Sequence, residues 1–321
     1  MRLSFATIIT RALLALSLVG CGSDPAAPLR IGTSVWPGYE PLYLARELGY
    51  LDPKSVRLAE YPSLGEVTRA FKNQAIEAAA LTFDEVLLLA QDGFNPRVTL
   101  VMDISFGADA ILGRAELRTV KDLAGRPMAV DTRTVGAYVL ARALMLNGLK
   151  PSDVNIVHVE HDEHEAALKE GRVDAVVNFE PLRSQLLAEG ASLLFDSTQI
   201  PGEIVDVLAF EAAYLEKNPA VVKEVLRGWF RAIEYMQTHP QDASARMAQR
   251  EQITGAQFLE SLKGLKIPSR VQNLQLLGGQ HPLLASSGRR LMQVMLDQRL
   301  LNTAPDVQAI LAPGPLEDLS P

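Results

Sequence analysis

Two stretches of this chain echo one another 97 positions apart. Lys72-Asn73-Gln74-Ala75-Ile76-Glu77-Ala78 aligns without gaps to Lys169-Glu170-Gly171-Arg172-Val173-Asp174-Ala175. The register holds as far as Ala90-Gln91-Asp92-Gly93 against Leu187-Ala188-Glu189-Gly190. Both stretches read strand, polar turn, helix, glycine stop. Two similar lobes, each turning a strand end toward a shared cleft, would produce this echo. Two independent strand–helix units of one α/β protein would also look this alike.

The rest of the chain fits the same grammar. From Leu29, apolar runs at 29–35, 56–61, 76–81, 98–104 and 110–112 read as strands, with amphipathic helices at 41–48, 64–71 and 84–91. A second set starts near Thr119. It has a short helix at 120–123, a strand at 127–130, and a helix from a Thr134 cap to Leu146, stopped by Asn147-Gly148. Strands at 154–159, 173–179 and 192–195 then alternate with helices at 163–169 and 182–188. After a strand at 204–210 the pattern turns helical, its longest helix running over 220–238 to His239-Pro240. Alternation of this kind predicts α/β lobes with largely parallel sheets.

The N-terminus carries an address. Arg2 and Arg11 supply positive charge, residues 12–19 are an apolar run far short of the ~20 residues that span a bilayer, and Leu18-Val19-Gly20-Cys21 closes it. This resembles the lipobox of bacterial lipoproteins, in which the cysteine is lipidated and becomes the new N-terminus. It implies a signal peptide at 1–20, a lipid anchor at Cys21, a tether at 21–28, and a location in the periplasm or at the cell surface, held to a membrane. The alternative is an uncleaved apolar N-terminus with an incidental cysteine. With one cysteine in the whole chain, no internal disulfide can form. After residue 20 there are 29 basic against 38 acidic side chains, an acidic body that argues against nucleic acid as a partner.

Ile31-Gly32-Thr33-Ser34-Val35-Trp36-Pro37-Gly38-Tyr39-Glu40-Pro41-Leu42-Tyr43-Leu44-Ala45 is the most diagnostic run. It resembles the opening of the substrate-binding proteins of ABC importers, in the group that takes up nitrate, taurine, aliphatic sulfonates and thiamine-precursor pyrimidines. Leu48-Gly49-Tyr50-Leu51, Gly107-Ala108-Asp109-Ala110, Leu123-Ala124-Gly125-Arg126, Val173-Asp174-Ala175-Val176 and Asn178-Phe179-Glu180-Pro181 follow in the family's order. The resemblance spans about Leu29 to Gln237. It implies a two-lobed type II periplasmic-binding-protein fold with two crossover strands. Lobe 1 would take 29–113 and 205–321, and lobe 2 would take 114–204. It further implies a small-molecule ligand, an ABC permease as partner, a monomer, and no catalysis or cofactor. A receptor reporting to a membrane kinase or cyclase would share this fold.

In open α/β sheets ligands bind beyond the carboxyl ends of the strands. Trp36 and Tyr39 follow the first strand, where each either faces a ligand or packs on the next helix. Thr82 and Asp84 follow the third strand, Asp84 serving either the ligand or a helix N-terminus. Ser105 is the expected contact at the next turn, with Asp109 either a contact or a hinge hydrogen bond. In lobe 2, Thr134 and Gly136 open a helix whose free N–H groups suit an anion, or simply cap it. Asn178 and Glu180 end a lobe 2 strand, and Glu203 and Asp206 lie at the return crossing. Asp174 is expected to be structural.

This inventory leans acidic, with Arg133 as the one nearby cation. Buried carboxylates need partners, so the expected ligand carries an amine or another donor-rich group, a zwitterion or nitrogen heterocycle rather than nitrate or a simple sulfonate. His158, His161 and His164 recur every third residue. Zinc needs its donors at ~2 Å from one point, and a strand end, turn and helix start would point these apart, so a solvated polar loop is expected and no metal. A relative of this fold builds a thiamine-precursor pyrimidine with a cysteine-rich motif, which this chain lacks after Cys21. Nucleophile elbow, phosphate loop and His-Glu-x-x-His are absent from the sequence.

Overall fold

Eleven strands form two separate sheets in the computed structural model, which describes residues 27–319. The expected signal peptide and Cys21 anchor lie outside the described residues. The first sheet has the order β11-β4-β10-β3-β1-β2, built from β1 (Leu29–Thr33), β2 (Val56–Glu60), β3 (Ala78–Thr82), β4 (Pro96–Ser105), β10 (Val205–Glu211) and β11 (Leu265–Lys266). The second has the order β7-β6-β8-β5-β9, from β5 (Asp109–Gly113), β6 (Pro127–Val130), β7 (Asn155–His158), β8 (Ala175–Phe179) and β9 (Ser192–Asp196).

The echo in sequence is an echo in structure. β3 pairs parallel with β1 and antiparallel with β10. β8, 97 residues on, pairs parallel with β6 and antiparallel with β5. In each sheet the strand arriving from the other lobe, β10 in the first and β5 in the second, runs against both its neighbours, and the two-residue edge strand β11 also runs against β4. Both central strands are covered on two faces by helices, so they read as buried runs rather than alternating ones. All five residues of β3, Ala78-Ala79-Ala80-Leu81-Thr82, are buried.

The acid ahead of each central strand is structural. Glu77 pairs with Arg30 of β1, and Asp174 pairs with Arg126 at 3.1 Å, just before β6. The glycine stops Gly93 and Gly190 both take positive φ, 85° and 97°. There a side chain would be strained.

One boundary differs from the expectation. The strand Asp109–Gly113 pairs with β8 and β9 and belongs to the second sheet. The first crossing is thus Phe106-Gly107-Ala108, and lobe 2 begins before 113 rather than after it. Beyond β10 the chain is mostly helical, interrupted by the two-residue strand β11. The helix Pro219–Thr238 buries Val222, Val225, Leu226, Trp229, Ala232 and Ile233, the spacing of a single apolar stripe. It packs on the helix Glu40–Glu47 and so braces the segment that carries Trp36 and Tyr39. None of the described helices is long and apolar enough to cross a membrane.

Candidate functional site

Both crossings deliver an acid to the cleft. Asp109 opens β5 and Asp206 is the second residue of β10, and both line a narrow cavity between the lobes. The first sheet adds residues beyond its strand ends: Ser34, Val35, Trp36 and Tyr39 after β1, and Thr82 at the end of β3. Leu64 comes from the start of the next helix. The second lobe adds Val135, first residue of the helix Val135–Leu146, and Phe179, last residue of β8.

Aromatic rings form the walls and carboxyls hold them. Trp36 Nε1–H donates to Asp103 Oδ2 at 3.0 Å, and the Tyr39 hydroxyl donates to Asp206. Trp36 meets Phe179 of the other lobe edge to face, with ring centroids 5.6 Å apart at 83°. Gly38 makes room for the Trp36–Asp103 hydrogen bond, because a Cβ there would fall 1.8 Å from Asp103 Oδ2 and 2.5 Å from Trp36 Nε1.

The electrostatics are lopsided. Asp103 and Asp206 stand opposite each other in β4 and β10. Burial, opposed by the Trp36 hydrogen bond and reinforced by Asp109, raises Asp103 to about 7. Burial also raises Asp109 to about 7, with Ser105 pulling it down and Asp84 and Glu180 pushing it up. Asp206 lies well above the usual carboxylate range through burial and the charge of Asp103. Just behind, Thr82 Oγ1 donates to Glu85 at 3.2 Å. Burial and neighbouring Asp84 drive Glu85 well up, and burial raises Asp84 to about 6. None of the residues lining the cavity is Lys, Arg or His.

Of the expected contacts, Trp36, Tyr39, Thr82, Asp109 and Asp206 line this cavity together. Thr134 lines an adjoining pocket of about 60 Å³ that shares Ser34, Val35, Leu64 and Phe179 with it. Thr134 also joins Asp84, Glu85 and Arg133 along a groove of about 280 Å³. The other four expected contacts lie elsewhere. Ser105 is fully buried, sharing a hydrogen bond with Ser197 at 2.8 Å and accepting the Asp109 N–H at 3.2 Å. It ties the first crossing to the second, so the hinge bond falls to Ser105 and the cavity wall to Asp109. Gly136 sits in the first helical turn against Val130. Asn178 faces inward, its amide 3.2 Å from His164 Nδ1. Glu180 accepts from Arg183 at 3.0 Å and from the Ser184 hydroxyl at 2.8 Å, closing the start of the helix Leu182–Ala188.

Glu203 is held by Arg142 and Tyr138. Arg133 is held by Asp131 and Glu160. Both are spoken for.

The histidine segment is not the solvated loop its composition suggested. His164 is buried, with its Nε2 3.0 Å from the Val159 carbonyl. His161 stacks on Phe179, with centroids 4.0 Å apart and planes at 7°, and burial lowers it to about 3. His158 turns away to Thr132. Among the described residues no group of three His, Cys, Asp or Glu side chains is placed to hold a metal ion.

Asp103 and Phe179 were absent from the expected set. Asp103 is the one acid inside the apolar run Val101-Met102-Asp103-Ile104, which is a usable signal. Phe179 follows from period-two alternation, since Asn178 faces the core and its neighbour must face the other way.

Residues 22–251 match the NMT1-like family. The taurine-binding periplasmic protein of Escherichia coli (strain K12) is 24% identical over 216 residues, 66% of this chain and 66% of that protein's length. The periplasmic aliphatic sulphonate-binding protein SsuA from Escherichia coli superposes with a TM-score of 0.74 at 21% identity, over 88% of this chain and 97% of that one. The desulfurization enzyme DszB superposes with a TM-score of 0.65 at 17% identity, over 90% of this chain and 98% of its own. These likenesses give the architecture, the two-lobed type II periplasmic-binding-protein fold. That fold carries binders and an enzyme alike.

Proposed function

Because this chain belongs to the NMT1-like family, we propose that it is an extracytoplasmic solute receptor. It captures a small nitrogen- or sulfur-containing solute and delivers it to an ABC importer, anchored to a membrane through lipidated Cys21. The observation that carries this reading is the composition of the cavity: lobe 1 gives Trp36 and Tyr39, lobe 2 gives Phe179 and Val135, and the two crossings give Asp109 and Asp206. A solute touching all of these favours the closed arrangement of the lobes over an open one, and a permease can read closure. No chemical step is needed, and we read the protein as a binder rather than an enzyme.

The test is a thermal-shift screen of a form beginning at Ser23, which keeps every described residue, against taurine, sulfonates, pyrimidines, amino acids and polyamines. A ligand at a hundred times its dissociation constant stabilises by about 2.7 kcal/mol, a rise of several degrees in a protein of this size. A hit confirms a solute receptor. A flat screen turns the reading toward a sensor of a protein partner.

A further inference from the structure

Granting the solute-receptor reading, the walls of the cavity narrow the class of solute. Asp109 is 4% exposed and lines the cavity, yet its Oδ2 has no hydrogen-bond partner. Polar atoms buried this deeply are nearly always paired. Beside it, Asp103 and Asp206 spend one oxygen each on Trp36 and Tyr39. The neighbouring cations are already committed: Arg183 to Glu180, Arg142 to Glu203, Arg133 to Asp131 and Glu160, and Lys72 to Asp92. A sulfonate or nitrate placed in this cavity would lose its water beside the carboxyl groups of Asp109 and Asp206, with Asp103 behind Trp36 and no side-chain counter-charge in the lining.

We infer that the solute carries an organic cation, a protonated amine or protonated nitrogen ring, held against Asp109 and between the rings of Trp36, Tyr39 and Phe179. A cation there supplies the partner that Asp109 Oδ2 lacks and draws the neighbouring carboxyls toward their ionised forms. Aromatic faces add attraction for a desolvated ammonium. The helix Val135–Leu146 begins on the facing wall, and Thr134 makes no side-chain cap, so its first N–H groups suit an anionic tail. Zwitterions therefore fit, with the cation as the group the cavity selects. This departs from recognition led by a sulfonate.

The experiment is equilibrium dialysis of the full chain in mild detergent at pH 8 against an equimolar mixture of butylamine, 4-aminopyridine, 4-aminobutanesulfonate and butanesulfonate. Retained solute is counted by mass spectrometry. At least one amine-bearing member should be retained tenfold or more over butanesulfonate, and Asp109→Asn should reduce that retention at least tenfold. The wild-type ratio decides alone if the variant does not fold. Retention of butanesulfonate equal to or above 4-aminobutanesulfonate overturns this inference while leaving a solute receptor standing. Retention of no member overturns both.

Discussion

The two echoed units, 78–93 and 175–190, occupy the same place in their sheets and end in opposite electrostatic states. In lobe 2 the acid after the strand is Glu180, neutralised by Arg183 and Ser184. In lobe 1 the equivalent turn carries Asp84 and Glu85, which have no basic partner among their contacts, and Glu85 Oε1 is buried without a hydrogen bond. One unit of chain thus serves two purposes. The lobe 2 copy is a self-satisfied support that presents Phe179 as a cover. The lobe 1 copy stores unpaired acid behind the cavity. Asymmetry between lobes of like topology is what a receptor needs if one lobe sets the chemistry and the other closes over it.

That contrast can be broken by substitution, starting with the walls. Trp36→Ala should weaken solute binding a hundredfold or more, because it removes the ring and leaves Asp103 Oδ2 unpaired. Phe179→Ala, which removes only the covering ring, should cost about tenfold. Titration calorimetry with whichever solute is retained compares them, and equal losses would deny lobe 1 its leading role.

The acids themselves come next. Glu180→Gln should destabilise the ligand-free protein by about 2 kcal/mol, since a buried charged acceptor loses its ion pair. Glu85→Gln should stabilise it by about 1 kcal/mol at pH 8, since it removes a buried carboxyl that must otherwise hold either a proton or a charge with no counter-ion. Urea unfolding of both variants reads the signs, and a loss of stability in Glu85→Gln would mean that its carboxylate is paired after all.

A third effect is expected with pH. Burial lifts Asp84 to about 6, and Asp103, Asp109 and Glu40 to about 7. Groups raised in the folded state bind more protons folded than unfolded. Their contribution is complete below the unfolded carboxylate range near 4 and is lost as pH rises through 6 to 7. The ligand-free midpoint should therefore fall by several degrees between pH 5 and pH 8. A cationic solute needs the ionised carboxyls, so the gap between bound and free midpoints should widen over the same range. A gap that narrows would point to protonated carboxyls donating to an anion.

The smallest effect lies in the turn ahead of each central strand. Gly171 takes φ 74° there, and its counterpart Gln74 takes φ 57°. A non-glycine residue in that region is strained, so Gln74→Gly should stabilise by about 0.5 kcal/mol, net of the chain entropy glycine adds. No gain in a urea midpoint would show that the two turns are not equivalent.

Much of this was legible beforehand for physical reasons. Element types and ends follow from local periodicity and glycine stops, and β3 and β8 could be paired because their whole local contexts match. Sheet membership is another matter. Nothing in Asp109-Ala110-Ile111-Leu112-Gly113 says which sheet it joins, because that is settled by pairing with residues 175–179 and 192–196. The site divides along the same line. Trp36, Tyr39, Thr82, Asp109 and Asp206 follow from being at strand ends. Asn178 and Glu180 were also at a strand end, but their partners His164 and Arg183 sit on later or earlier helices and turn them away. Asp103 was hidden because a strand interior reads as core, although a lone acid in an apolar strand is expensive enough to ask what it holds.

Tryptophan fluorescence gives the most direct test of the central claim, because the chain has two tryptophans in contrasting places. Trp36 lines the cavity, and Trp229 is fully buried on the helix Pro219–Thr238. Titrating the retained solute should shift the emission of the wild-type protein saturably, and Trp36→Phe should abolish the shift, with Trp229 as a constant background. A saturable shift that survives Trp36→Phe, or binding by calorimetry with no shift at all, would place the solute somewhere other than this cavity.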